Sequence, residues 1–191
     1  MNQTLSKLSI ALALFSSASF SSDNYILDSN LSSVGFATIK GQFIVEPATI
    51  NSISGMLDSN GQFNLSINLK GIETGIPIRN TRLNEIFFES ARHSPAKVAG
   101  KVDLPLLKEG SHKIDVPAEI TLFGKTKLIK FPVVILNTDD TVMVSSSAPV
   151  VIAASDFGIP SSNLTALAAT VGGINISDRV PLTLNLTFKK S

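Results

Sequence analysis

Two histidines, His93 and His112, stand in this chain, and there is no cysteine. A zinc or iron site needs several ligands at workable spacing, and neither histidine has such a partner. Without a thiol there is no thiolate nucleophile and no disulfide staple. His93, Asp156 and one of the many serines can be drawn as a triad on paper, and Glu73 with Asp156 as a carboxylate pair. No spacing in the sequence brings either set together. No Gly-x-Ser-x-Gly elbow, phosphate-cradling glycine loop or Gly-x-Gly-x-x-Gly turn occurs. The residues therefore describe a protein that is not an enzyme, with no catalytic side chain, no metal and no cofactor. Both histidines read as surface residues. Lys125, Lys127 and Lys130, the one dense basic run, read as a solvated strand face and turn.

The most informative stretch is Gly71 to Ala96, where a strand pattern gives way to a short helical one and Arg79, Asn80 and Arg82 stand just before its apolar turn. Gly71, Gly75 and Pro77 punctuate the chain just before it. Leu83, Ile86 and Phe87 then fall at i, i+3 and i+4, so three apolar groups share one side of a helical turn. Pro95 closes the segment. One short helical insertion among strands is expected to plug or lid the end of a sheet or barrel.

Alternation dominates the rest. Phe63, Leu65, Ile67 and Leu69 alternate with Asn64, Ser66, Asn68 and Lys70; Leu182, Leu184, Leu186 and Phe188 alternate with Thr183, Asn185, Thr187 and Lys189. Each set gives a strand with one wet and one apolar face. Weaker strand patterns run over Ser33–Lys40, Ala48–Leu57, Ala96–Leu104, Lys113–Phe123, Lys127–Leu136 and Thr141–Ala154, about eight strands in all. Turn residues separate them at Ser59-Asn60-Gly61, Glu109-Gly110-Ser111, Phe123-Gly124-Lys125 and Asn137 to Asp140. The fold class is all-β: an antiparallel sandwich or barrel carrying a short helical insertion. A second irregular stretch, Asp156 to Ile174, is either a long hairpin connection or a rim over a barrel mouth. In it Ser161-Ser162-Asn163 is placed to cap a short turn carrying Leu164 and Leu167, and Gly172-Gly173 to end it.

The first 22 residues differ from the rest. Lys7, the mostly apolar run Leu8–Phe15 and the small residues Ser16 to Ser19, followed by Phe20, Ser21 and Ser22, have the order of a secretory signal peptide. The run is too short to span a bilayer. Residues 1–22 are read as a leader and 23–191 as one domain, placed in a periplasm or outside the cell. Without Lys7, 15 of the 16 basic residues face 15 acidic ones, so the remaining chain is near neutral. That argues against nucleic acid, whose affinity rests on neutralised phosphates.

The segment Thr74-Gly75, then Ile78-Arg79-Asn80, Arg82-Leu83, Phe87-Phe88 and Pro95 resembles the signature of the YceI-like family, Thr-Gly…Arg-Asp…Leu…Phe-Phe-Asp…Tyr-Pro. Glu119 to Lys127 resembles its Leu-Thr-hydrophobic-x-Gly-x-Thr-Lys strand and turn, and Asp156-Phe157-Gly158-Ile159 its late Asp-Phe-Gly element. The start Tyr25-Ile26-Leu27-Asp28 and the strand Ser33-Val34-Gly35-Phe36 agree as well, so the resemblance covers nearly all of residues 23–191. The chain departs at Asn80 and Glu89, where the family usually has Asp, and at His93-Ser94, where it usually has an aromatic residue.

The resemblance implies an eight-stranded lipocalin-like barrel around a long polyisoprenoid chain. The expected function is an exported protein that encloses a polyisoprenoid or quinone-like lipid for storage or transport. The alternatives are a filled structural barrel acting as an interaction or accessory protein, and a weak lipid-acting enzyme. Ligand contacts are expected from Phe36, Leu65, Ile67, Leu69, Leu83, Phe87, Phe88 and Phe157, with Arg79 and Asn80 holding the loop. The expected partner is a long-chain apolar small molecule and not nucleic acid; transient contact with a membrane or membrane protein, and a homodimer, stay open.

Overall fold

The computed structural model describes residues 24–103, 108 and 110–191. The leader assigned to 1–22, the strand end at Leu104 and the turn residue Glu109 lie outside them. Among the described residues alternation produces twelve strand segments: β1 (Tyr25–Leu27), β2 (Ser33–Lys40), β3 (Ile44–Ile50), β4 (Ile53–Leu57), β5 (Gln62–Ile67), β6 (Ile72–Glu73), β7 (Ala96–Lys101), β8 (Gly110–Leu122), β9 (Lys125–Asn137), β10 (Thr141–Ser146), β11 (Val150–Ala153) and β12 (Arg179–Lys190).

The segments close into a ring. β1 pairs with both β12 and β4; from β4 the ladder passes through β5, β7, β8, β9 and β10 back to β12, antiparallel throughout. β2 and β3 prolong the β1 and β4 walls, β6 pairs onto β3, and β11 prolongs β10 along β12. Twelve segments thus make eight staves, the lipocalin-like barrel expected from the sequence, with an interior wide enough for side chains or one small ligand.

The staves are more broken than the alternation suggests. Ala48–Leu57 is two strands, β3 and β4, parted at Asn51-Ser52, and Thr141–Ala154 is β10 and β11, parted at 147–149. Leu69 is not in a strand: it opens a short 3-10 turn, Leu69–Gly71, whose first amide is held by the Ser94 hydroxyl at 3.2 Å. Two adjacent staves bend together here, because Gly71 lies against Ser52 so closely that a Cβ at Gly71 would fall 2.5 Å from the Ser52 Cβ. Where a bend interrupts a ladder, serine replaces the lost acceptor. Ser32 Oγ accepts from Thr187 N at 3.0 Å and Ser146 Oγ from Leu184 N at 2.8 Å; a buried N–H without a partner would be costly. Glu109-Gly110-Ser111 is not a simple turn, since Gly110 and Ser111 already belong to β8. Phe123-Gly124 is a tight reversal, with φ of 51° and 79°, the positive pair that a type I′ hairpin requires.

Three helices gather at one end. α1 (Pro77–Arg82) runs into a wide turn, Leu83–Phe87, and then α2 (Ser90–His93), all inserted between β6 and β7. α3 (Ser161–Ala169) follows β11 and packs on that wide turn. Pro160 precedes α3, and no side chain caps it. Asn163 instead reaches across to the insertion, donating to the Phe87 carbonyl at 3.1 Å and to Glu89 Oε1 at 2.9 Å. The opposite end carries both described chain ends and the turn between β9 and β10.

Candidate functional site: an apolar cavity with one charged end

The barrel is not filled. Its inward side chains surround a cavity of about 210 Å³, where about 10–15 Å³ admits one water. Lined positions on β12 run from Val180 to Phe188. The eight rises between them, at about 3.4 Å each and tilted about 40°, give roughly 20 Å along the axis. That exceeds half of a bilayer's ~30 Å hydrocarbon thickness.

The wall comes from the period of two. β5 turns Phe63, Leu65 and Ile67 to the cavity and leaves Gln62 and Asn64 exposed; β12 turns Leu182, Leu184, Leu186 and Phe188 to it. All eight sequence-predicted apolar positions lie on this wall: Phe36, Leu65, Ile67, Leu69, Leu83, Phe87, Phe88 and Phe157. Phe157 has no exposed surface. The pair Phe87 and Phe88 owes its placement to the wide turn: Phe88 N donates to the Leu83 carbonyl at 2.9 Å, one residue beyond α-helical spacing. That turn brings both rings to the wall, edge to face at 4.7 Å.

Among the described residues, polar lining is confined to Thr38, Ser177 and Asp178, at the helical end. Down β2 the inward column reads Val34, Phe36, Thr38, Lys40; opposite on β3, in register, stand Ile50, Ala48, Glu46 and Ile44. The β2 column changes from apolar to charged toward that end, and the β3 column carries Glu46 there before ending at the exposed Ile44. There Lys40 Nζ stands 2.5 Å from Glu46 Oε2, an ion pair outside hydrogen-bond geometry, and Arg79 donates to Glu46 Oε1 at 2.6 Å. Arg79 therefore ties α1 to β3. Asn80 does not cap the helix it sits on. Its Oδ1 accepts from Thr74 N at 2.9 Å and Thr74 Oγ1 at 2.6 Å, and its Nδ2 donates to Glu73 Oε2 at 3.2 Å. Thr38, Lys40 and Glu46 were not singled out by sequence, although the alternation Val34-Phe36-Thr38-Lys40 was there to be read.

The acidic residues drawn together on paper are occupied elsewhere. The Gly75 amide, then the Asn80 side chain, holds the Glu73 carboxyl below the usual range; a hydrogen bond from Lys127 does so for Asp156. His93 is not a bare surface residue: its ring stacks on Phe123 at 3.7 Å. His112 is also partly covered. Among the described residues no group of His, Asp and Glu gathers as a metal site, and no helix is long and apolar enough to cross a membrane.

No curated protein matches this chain. Among solved structures it is similar to a polyisoprenoid binding domain from Saccharophagus degradans implicated in plant cell wall breakdown. The two are 28% identical, with a TM-score of 0.80, over 87% of this chain and 98% of that one. It shares its fold with BcnA of Burkholderia cenocepacia, at 16% identity and a TM-score of 0.65 over 84% and 98% of the two chains. The same holds for the YCEI protein of Campylobacter jejuni, at 16% identity and 0.56 over 78% and 87%. Residues 25–188 match the YceI-like domain, and the chain belongs to that family.

Proposed function

We propose that this protein is an exported binding protein that encloses one long apolar lipid, polyisoprenoid or quinone-like, for storage or transport. The observation that carries this reading is a continuous aliphatic and aromatic wall around a long cavity whose polar atoms sit at one end only. Such a wall gains from a hydrocarbon chain and offers nothing to a polar metabolite. Each 100 Å² of chain buried is worth about 2.5 kcal/mol, nearly two orders of magnitude in affinity before ordering costs. The relative whose name records polyisoprenoid binding supports the ligand class. The Lys7–Ser22 pattern supports export. At the helical end Phe43 is 88% exposed and Ile76 and Ile78 about half exposed; we read them as the part that touches a membrane when lipid is exchanged. Organic extraction and mass spectrometry of natively purified protein test the central claim. One lipid per folded chain is expected. Protein that carries no lipid and takes up none from vesicles refutes it. Intact mass of the exported protein tests leader removal, and a mass still containing residues 1–19 contradicts it.

A further inference from the structure

We propose that Lys40, Arg79 and Arg82 form a subsite for an anionic lipid head group of the phosphate class. This rests on the lipid-binding reading above and narrows it, because a neutral head such as a quinone ring would not need it.

A second cavity of about 190 Å³ lies under α1 and the end of α3. It shares Thr38, Leu83, Leu167 and Ile176 with the main cavity, so the two adjoin across those side chains. Its charged lining is Lys40, Arg79, Arg82 and Glu46: three cations against one anion. Glu46 is already engaged by Lys40 and Arg79, whose side chains are 13% and 21% exposed. Arg82 is partly buried and has no ion pair among the described residues. The subsite therefore holds two positive charges in excess beside an apolar cavity. Cations withdrawn from water are unfavourable unless an anion joins them. Here Glu46 orients two of the three and leaves their remaining donors, with the Arg82 fork, for an incoming oxyanion. Guanidinium groups match the oxygens of a phosphate with paired N–H donors. A chain seated with its tail among Leu65, Leu184 and Phe188 brings its head group to this point.

The test uses the full protein, delipidated, with geranylgeranyl phosphate, geranylgeraniol and inorganic phosphate as probes, followed by calorimetry. The phosphorylated lipid is expected to bind at least about tenfold more tightly than the alcohol, the scale of one charge-assisted hydrogen bond. The advantage should shrink with added salt. Arg82→Gln breaks no ion pair; Lys40→Gln is the second variant. Both should bring the phosphate-to-alcohol ratio toward one, with circular dichroism checking the fold. Equal affinity for the two lipids in the unaltered protein overturns the head-group assignment and leaves lipid binding standing. Inorganic phosphate binding as tightly as the lipid phosphate overturns it too, because the anion would then be the whole ligand. Binding of neither lipid overturns both readings.

Discussion

Whether the barrel is hollow can be decided by one small-to-large substitution, Ala118→Phe. Ala118 is 3% exposed, lies mid-way along β8 between Gly100 of β7 and Ile129 of β9, and faces the cavity between Val116 and Ile120. In a filled core a phenyl ring has nowhere to go, and overpacking costs about 1–3 kcal/mol. In a hollow one the ring enters open space lined by hydrocarbon. A phenylalanine buries 150–250 Å², so the gain over alanine is roughly 100 Å², or about 2.5 kcal/mol as an upper bound. Compactness of the unfolded chain trims this to roughly 1.5–2 kcal/mol. The two cases differ in sign. In a chain of this size each 1 kcal/mol moves Tm by about 2–4 °C. A hollow barrel therefore predicts a rise of several degrees in delipidated Ala118→Phe and a loss of lipid capacity; a filled one predicts a fall. The comparison needs lipid-free protein, because bound ligand itself raises Tm. A lower Tm with unchanged lipid per folded molecule refutes the cavity.

Three further outcomes follow from the same geometry. Leu65→Asp or Ile67→Asp places an unpaired charge on the cavity wall and should unfold the protein or abolish lipid uptake, whereas the exposed Asn64→Asp should be mild; thermal melts that treat the two faces alike would contradict the register of β5. Phe88→Ala should lower lipid retained per folded molecule more than it lowers Tm, since a plain core phenylalanine would cost about 3–5 kcal/mol on truncation and leave retention intact. Glu73 has a depressed pKa, so its stabilising bonds to Gly75 and Asn80 are fully present above the unfolded glutamate value of about 4.3 and fade as pH falls through the lower folded value; urea melts should show the protein more stable than Glu73→Gln at pH 6 and the gap closing below about pH 4, and a gap that widens in acid would reverse the sign.

Much of this is legible in the sequence. Period-two alternation in β5 and β12 gave both the faces and the wall residues, because a closed barrel forces every second side chain inward. The helical turn at Leu83 was legible from i, i+4 spacing. The bends were not. Each depends on a single hydroxyl, Ser32 or Ser146, meeting a β12 amide from a distant part of the chain, and serine is too common here to mark such a place. The charged end was hidden for a related reason. Arg79 and Glu46 are 33 residues apart in sequence, and each looks like an ordinary wet position until the insertion folds back over β3.

The inward columns carry an argument that neither the family resemblance nor the cavity supplies alone. β2 and β3 pair so that Val34 faces Ile50, Phe36 faces Ala48, Thr38 faces Glu46 and Lys40 faces Ile44. Because register is fixed, polarity along the bore is fixed with it: a one-residue slip would turn Thr38, Lys40 and Glu46 outward and Ala37, Ile39 and Val45 inward, and the bore would lose its charged end. At the far end Leu57, Val142 and Phe188 are all buried and line the cavity without a polar neighbour in the lining. A lipid in this bore has one favourable orientation. Reversing it would leave a polar head group among aliphatic side chains, at a cost of roughly 2–7 kcal/mol if unpaired, and would set hydrocarbon against Lys40 and Glu46. Orientation is thus written into the alternation of two short strands, and the helical insertion, by bringing Arg79 onto Glu46, holds those charges at the mouth rather than letting them turn to solvent.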